Sequence, residues 1–362
     1  MLLTLPAILA GLPPGHDSLT QMQWFHHFST QLRAGEFYPR WLSSMNAGYG
    51  SPTFFFYAPL PYYATSVLAA LGPGAGSGSG PGAAGAAALP LGLAAAIALV
   101  ASGFACRLWL RRSASEAQAI VGSLIYMAIP YHLVVDLYDR AAFAEFCALA
   151  WLPLLLHFAD GIAAGERRAA PLFAIVYAAL AATHLPTTLI FTLVPFASVA
   201  LHARWDARAP RALVRLAGAC ALGAALAAVY LAPAIASQRH VLLAETPADP
   251  RYFANNFLFE WGRERAYSEY LARMSRITLA TVAFAAGAFL FARADSLPAA
   301  RSTRNFWLAT LGAAIFMMLP VSRSLWNLAA PLQTIQFPWR FHAIVCVAAA
   351  ALAARAFAAS AR

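Results

Sequence analysis

The chain has 362 residues, of which 61% are hydrophobic and 11% charged, with a formal net charge of +10 and a mean hydropathy of +0.61. Soluble domains carry roughly 25% charged residues, and long apolar runs recur here from end to end, so residues 1–362 are expected to form a single integral membrane domain. All 25 basic residues are Arg, spread among short loops instead of gathered in one patch, which argues against nucleic acid as a partner.

In chain order, residues 1–13 form a weak apolar segment, too short to cross a hydrocarbon layer of about 30 Å. It has no basic flank and no small-x-small cleavage site, so it reads as a first span shortened by a late start and not as a signal peptide. Stronger spans follow at 83–106, 117–135, 142–159, 169–183, 186–202, 212–235, 277–292, 305–320 and 340–359. The expected fold is therefore all-α, a transmembrane bundle of about ten spans. Between the first two lies a loop, 14–82. In it, residues 19–33 place Leu19, Met22, Phe25, Phe28 and Leu32 on one helical stripe, with His26, His27 and Gln31 largely off it. That pattern suits a helix lying in the interface plane, or equally a plain amphipathic connector.

Residues 52–72 are apolar enough to span, but Pro59 and Pro61 interrupt any helix there. The segment is placed at the interface or as a re-entrant turn, with Phe54, Phe55, Phe56, Tyr57, Tyr62 and Tyr63 in the headgroup layer. Residues 72–85 read as a flexible Gly-rich linker. The stretch from Ala169 to Leu201 is flanked by arginines at both ends, so both flanks want the cytoplasm and the segment crosses twice, turning at Thr183-His184-Leu185-Pro186. With both termini cytoplasmic, the inner loops hold 14 Arg and 5 acids and the outer loops 11 Arg and 10 acids, the sign the positive-inside rule requires. A bacterial inner (cytoplasmic) membrane, with the lipid bilayer as the first partner, is the expected location. The longest outer loop, 236–276, carries Glu245, Asp249, Glu260, Glu264 and Glu269 among its arginines.

The acids cluster at the outer ends. Asp17 is the first charged residue; Asp136, Asp139, Arg140 and Glu145 lie together between two spans, where mutual ion pairing is the plain reading; Arg340 sits in QFPWRF ahead of the last span, placed to snorkel or to grip a lipid phosphate. His184, at its turn, is expected to face the same compartment as a hydrogen-bonding residue. No acid or arginine stands deep in a predicted span, which weakens a proton-coupled transporter. Cys106, Cys147, Cys220 and Cys346 stand singly, and neither a CxxC nor a Cys/His cluster nor a DxD pair is present, so no disulfide framework, metal or cofactor is expected.

The segments HD ending at Asp17, EFYPRWL at 36–42, NAGYGSPTFFFYAPLPYY at 46–63, YDRAAFAEF at 138–146, HLPTT at 184–188 and QFPWRF at 336–341 resemble a bacterial multispan family. That family is described as a membrane domain related to 6-pyruvoyl-tetrahydropterin synthase, itself similar to GT-C-type glycosyltransferases and YfhO-like membrane proteins. The soluble pterin synthase binds zinc through three histidines; the nine histidines here show no such spacing, so pterin chemistry is not expected. The GT-C resemblance implies transfer of a sugar from a polyprenyl-phosphate carrier at the outer face, inverting and metal-independent. It implies catalytic carboxylates at Asp17, Glu145 and Asp139, and substrate contacts from His16, Arg140, Arg340, Tyr49 and Tyr57. The chain ends at Arg362, short of the outer domain many such enzymes carry, which implies a partner protein or a longer polypeptide. The competing expectation is a non-enzymatic membrane protein, either a lipid or glycan transporter or an envelope assembly factor.

Overall fold

The computed structural model describes residues 2–71, 83–202, 208–240, 249–260, 265–291 and 298–360. Its elements are helices; the β-pairing among the described residues is an isolated antiparallel bridge between Leu42 and Ser51. The packing centre is α18 (His342–Ser360), whose alanines from Ala343 to Ala354 are buried. Small side chains let neighbouring backbones approach, and α6 (Glu116–Ala128), α14 (Arg265–Phe291) and α15 (Pro298–Met318) all pack on this helix. On α6 the closest point is Gly122, where an added Cβ would stand 2.9 Å from the Cβ of Ala354.

Helix α6 starts on a capping box, in which the Ser115 hydroxyl and the Gln118 side chain each accept the other's backbone N–H. Pro130 cannot continue the α-helical ladder, and the chain runs on as a π-helix over Tyr131–Asp139. Glu116–Asp139 together provide a 24-residue apolar path long enough to cross a bilayer. Four other described segments are long and apolar enough to cross a bilayer: Ala87–Leu110 of α5 (Ala83–Leu110), Phe143–Ala163, Ala209–Leu226 and Pro338–Phe357. Phe143–Ala163 is α7 (Phe143–Ala148) followed by α8 (Trp151–Ala163), and Ala209–Leu226 lies in α12 (Arg208–Leu226). A sixth span forms if Arg301–Met318 and Pro320–Leu328 are one, bent by 83° at Pro320.

Of the ten expected spans, the remaining ones map onto other helices. Of residues 1–13, the described residues 2–13 form a short turn and α1 (Leu5–Ala10), about 9 Å long. The expected turn at Thr183–Pro186 is a real break: α9 (Ala169–Thr183) ends, His184 is extended, and α10 (Leu185–Phe191) restarts with Pro186 in its first turn, followed by α11 (Leu193–His202). Residues 277–291 belong to the 27-residue α14.

Of the 14–82 loop, the described residues 14–71 are folded onto the bundle. Helix α2 (Ser18–Arg33) packs on α5 and on α4 (Leu60–Leu71). Its buried face is Ser18, Gln21, Phe25, Phe28 and Ser29, whereas Leu19 is 59% exposed. Of the expected stripe, Phe25 and Phe28 are buried and Met22 and Leu32 pack against them; only Leu19 falls outside, and Gln21 joins the face by accepting a hydrogen bond from the Tyr62 hydroxyl. Segment 52–72 becomes α3 (Thr53–Phe56) and α4, and twelve residues in α4 rise only about 18 Å, too short to span. Phe54 and Tyr62, expected in the headgroup layer, are fully buried, with ring centroids 4.8 Å apart and Phe28 4.7 Å from Phe54. Edge-to-face packing of large rings accounts for this burial. The linker expected at 72–85 falls mostly on 72–82, outside the described residues; α5 begins at Ala83. The four cysteines are free, with Cys106 and Cys346 buried.

At the opposite helix ends, Arg112 grips Glu166 through both terminal nitrogens, at 2.9 and 3.0 Å, and Arg215 donates to the Glu166 carbonyl at 3.0 Å. Arg107 and Arg111 hold Glu116. Arginines of this end therefore tie consecutive helix pairs together.

Candidate active site

The geometry starts at the π-helix. Its wide turns end with the Arg140 N–H donating to the Val135 carbonyl, and Ala141 then adopts a left-handed φ of 53°. For an L-residue with a Cβ that conformation costs about 1–2 kcal/mol, and it turns the chain so that Glu145 folds back beneath Arg140. Arg140 Nη1 donates to Asp136 Oδ1 and to Glu145 Oε2, both at 2.9 Å. From almost two hundred residues away, Arg340 Nε donates to the same Glu145 oxygen at 3.2 Å, while its Nη1 reaches the Ile335 carbonyl at 2.7 Å. The Tyr131 hydroxyl takes the other Glu145 oxygen at 2.6 Å, and its ring stacks on His342 at 4.7 Å. The Arg140 guanidinium lies 4.6 Å over the Trp339 ring.

Asp136 and Glu145 are at most 2% exposed, and the Arg140 and Arg340 side chains 8% and 11%. Two carboxylates and two guanidiniums balance one another, the condition under which buried charge is tolerated. The mutual ion pairing read from the sequence is what the structure shows for Asp136, Arg140 and Glu145. Asp139 departs from that group and pairs instead with Arg273 at 2.6 Å.

Above this cluster the chain from Gly15 to Asp17 lies against residues 139–141. The His16 N–H donates to the Asp139 carbonyl at 3.2 Å and the Asp17 N–H to the Arg140 carbonyl at 2.8 Å. Gly15 is required here for space: a Cβ would sit 2.8 Å from the Arg140 carbonyl carbon and 2.9 Å from the Ala141 nitrogen. Asp17 occupies the N-cap position of α2, yet its side chain makes no capping bond. Ser18 instead exchanges hydrogen bonds with Gly15. Among the described residues the Asp17 carboxylate has no hydrogen-bond or ion-pair partner, and it is partly exposed.

The other sequence-derived residues divide. The exposed His16 ring lies 5.5 Å from Tyr270. Tyr57 is packed 4.7 Å from Trp24, and burial pushes its hydroxyl up to about 12, so it stays protonated and able to donate. Tyr49 is 86% exposed, on a turn made by the left-handed Asn46, Ala47, Gly48 and Gly50, and no described contact joins it to the cluster. His184, expected to be exposed, is only 6% exposed, and its Nδ1 lies 2.7 Å from the Thr187 hydroxyl. Sequence reasoning missed Tyr131, Tyr270 and Arg273. Only the spacing of Tyr270 and Arg273, three apart on one helical face, offered a signal.

Searches of protein-family models and of curated proteins return no match. Among solved structures, the apo oligosaccharyltransferase of Archaeoglobus fulgidus is similar, with a TM-score of 0.47 and 13% identity over 97% of this chain and 49% of that one. This chain therefore spans about half the length of that protein.

Proposed function

We propose that this membrane protein is a lipid-linked glycosyltransferase, or a relative of one, working at the outer face of the cytoplasmic membrane on a polyprenyl-phosphate-linked sugar. The observation that carries the reading is the unpartnered Asp17 carboxylate on a residue whose backbone N–H is held by the Arg140 carbonyl. A sugar hydroxyl is a poor nucleophile, and a carboxylate within reach can take its proton. The acceptor oxygen would bond to the anomeric carbon as the carbon–oxygen bond to phosphate breaks. The electron pair leaves on the phosphate, and the proton goes to Asp17. A cation must meet the charge that develops on the phosphate, and Arg340 is assigned that part. Arg140 and Glu145 hold Arg340 and the Asp17 seam in place, so Glu145 serves as a counter-ion; Asp139 orients Arg273. His16 and Tyr57 flank the approach.

The test is binding by the purified chain in lipid. A polyprenyl phosphate or its sugar conjugate should bind, and its sugar should pass to an acceptor glycan. Movement of a free solute across liposomes with no lipid carrier present would instead establish a transporter.

A further inference from the structure

Helix α14 presents a second, separate feature. An open cavity of about 500 Å³ is lined by Phe259, Glu269, Arg273, Ser275, Arg276 and Leu279. Arg273 is committed to Asp139, and Ser275 to the Phe259 N–H and the Leu271 carbonyl. Arg276 is exposed and, among the described residues, has neither a hydrogen bond nor an ion pair. Arg276 is also the last charge before an uncharged, largely apolar run, residues 277–291, whose polar members Thr278 and Thr281 are buried. Down that run one face stays open, with Leu279 56%, Phe284 45% and Leu290 61% exposed. A free guanidinium at the mouth of a cavity, followed along the same helix by exposed apolar side chains, is complementary to an amphiphile: anionic head above, hydrocarbon chain below.

We infer that this cavity binds the phosphate headgroup of an anionic bilayer phospholipid, with Arg276 as the principal contact, Arg273 beside it and an acyl chain along Leu279, Phe284 and Leu290. A forked guanidinium suits a phosphodiester, and the apolar track distinguishes a lipid from free phosphate. The inference does not depend on glycosyl transfer.

The test uses the full chain in detergent, with phospholipid retention read by native mass spectrometry. Wild type should retain dioleoylphosphatidylglycerol over dioleoylphosphatidylcholine. Arg276→Gln should lower that retention about fivefold, Arg276→Lys should lower it less, and Arg33→Gln, at a remote exposed site, should leave it unchanged. Equal retention by wild type and Arg276→Gln would overturn the site. Displacement by millimolar inorganic phosphate would show that no lipid tail is recognised and would overturn the lipid assignment. Complete displacement by equimolar polyprenyl phosphate would give the cavity to the carrier lipid and overturn the bilayer-phospholipid inference.

Discussion

Replacing Glu145 by Gln keeps its shape but removes one of the two negative charges that balance Arg140 and Arg340. Glu145 accepts three hydrogen bonds, from Tyr131 at 2.6 Å, Arg140 at 2.9 Å and Arg340 at 3.2 Å, at 2% exposure. Removing one member of a buried pair costs about 3–5 kcal/mol, because the partner is left charged and desolvated. Arg140 keeps Asp136 at 2.9 Å, but Arg340 keeps only the Ile335 carbonyl, so the uncompensated charge falls on Arg340. The double variant Glu145→Gln with Arg340→Gln should then recover at least about half the loss, since one acid and one arginine remain paired. Unfolding titrations in mixed detergent micelles would give both values. A single-variant loss under about 1 kcal/mol, or a double variant no better than the sum of the two singles, would refute the charge-balance argument.

Gly15→Ala should destabilise the chain by about 1–3 kcal/mol and lower transfer activity as well, because its Cβ meets the 139–141 backbone; hydrogen exchange should show protection lost at the Asp17 amide. The Arg112 hydrogen bond holds the Glu166 carboxyl below its usual range. A lowered folded-state pKa gives stability that is present above the unfolded value, about 4.3, and is lost as pH falls through the folded one. The Glu166 side chain is 49% exposed, so that contribution is under about 1 kcal/mol; the stability gap between wild type and Glu166→Gln should close on acidification, and a gap that widened would contradict the sign. In a background without native cysteines, Ser113→Cys should be labelled from the cytoplasm and Pro250→Cys from outside; external labelling at 113 would mean that residues 52–72 cross the membrane.

What was legible in the sequence was local. The break at His184 could be read because Pro186 stops a helix and arginines flank both ends. The Asp136–Arg140–Glu145 pairing could be read because its members lie within ten residues. The burial of Gln21 on α2 could not, since it turns inward only to meet Tyr62, forty-one residues on. The bonds from Arg340 to Glu145 and from Arg273 to Asp139 span 195 and 134 residues. Periodicity carries no information about such partners. Asp17 was visible as a first charge after an apolar segment; that its carboxylate stays unpaired while its amide is fixed is a fact of the folded chain.

The most direct measurement is sugar transfer from a polyprenyl-phosphate carrier by Asp17→Asn beside wild type, both purified and both checked for the same unfolding midpoint. Asn keeps the size of the side chain and removes the proton acceptor, so turnover should fall by roughly 10²–10⁴-fold, with stability unchanged because the carboxylate has no buried partner to lose. Wild-type turnover by Asp17→Asn would contradict the catalytic assignment.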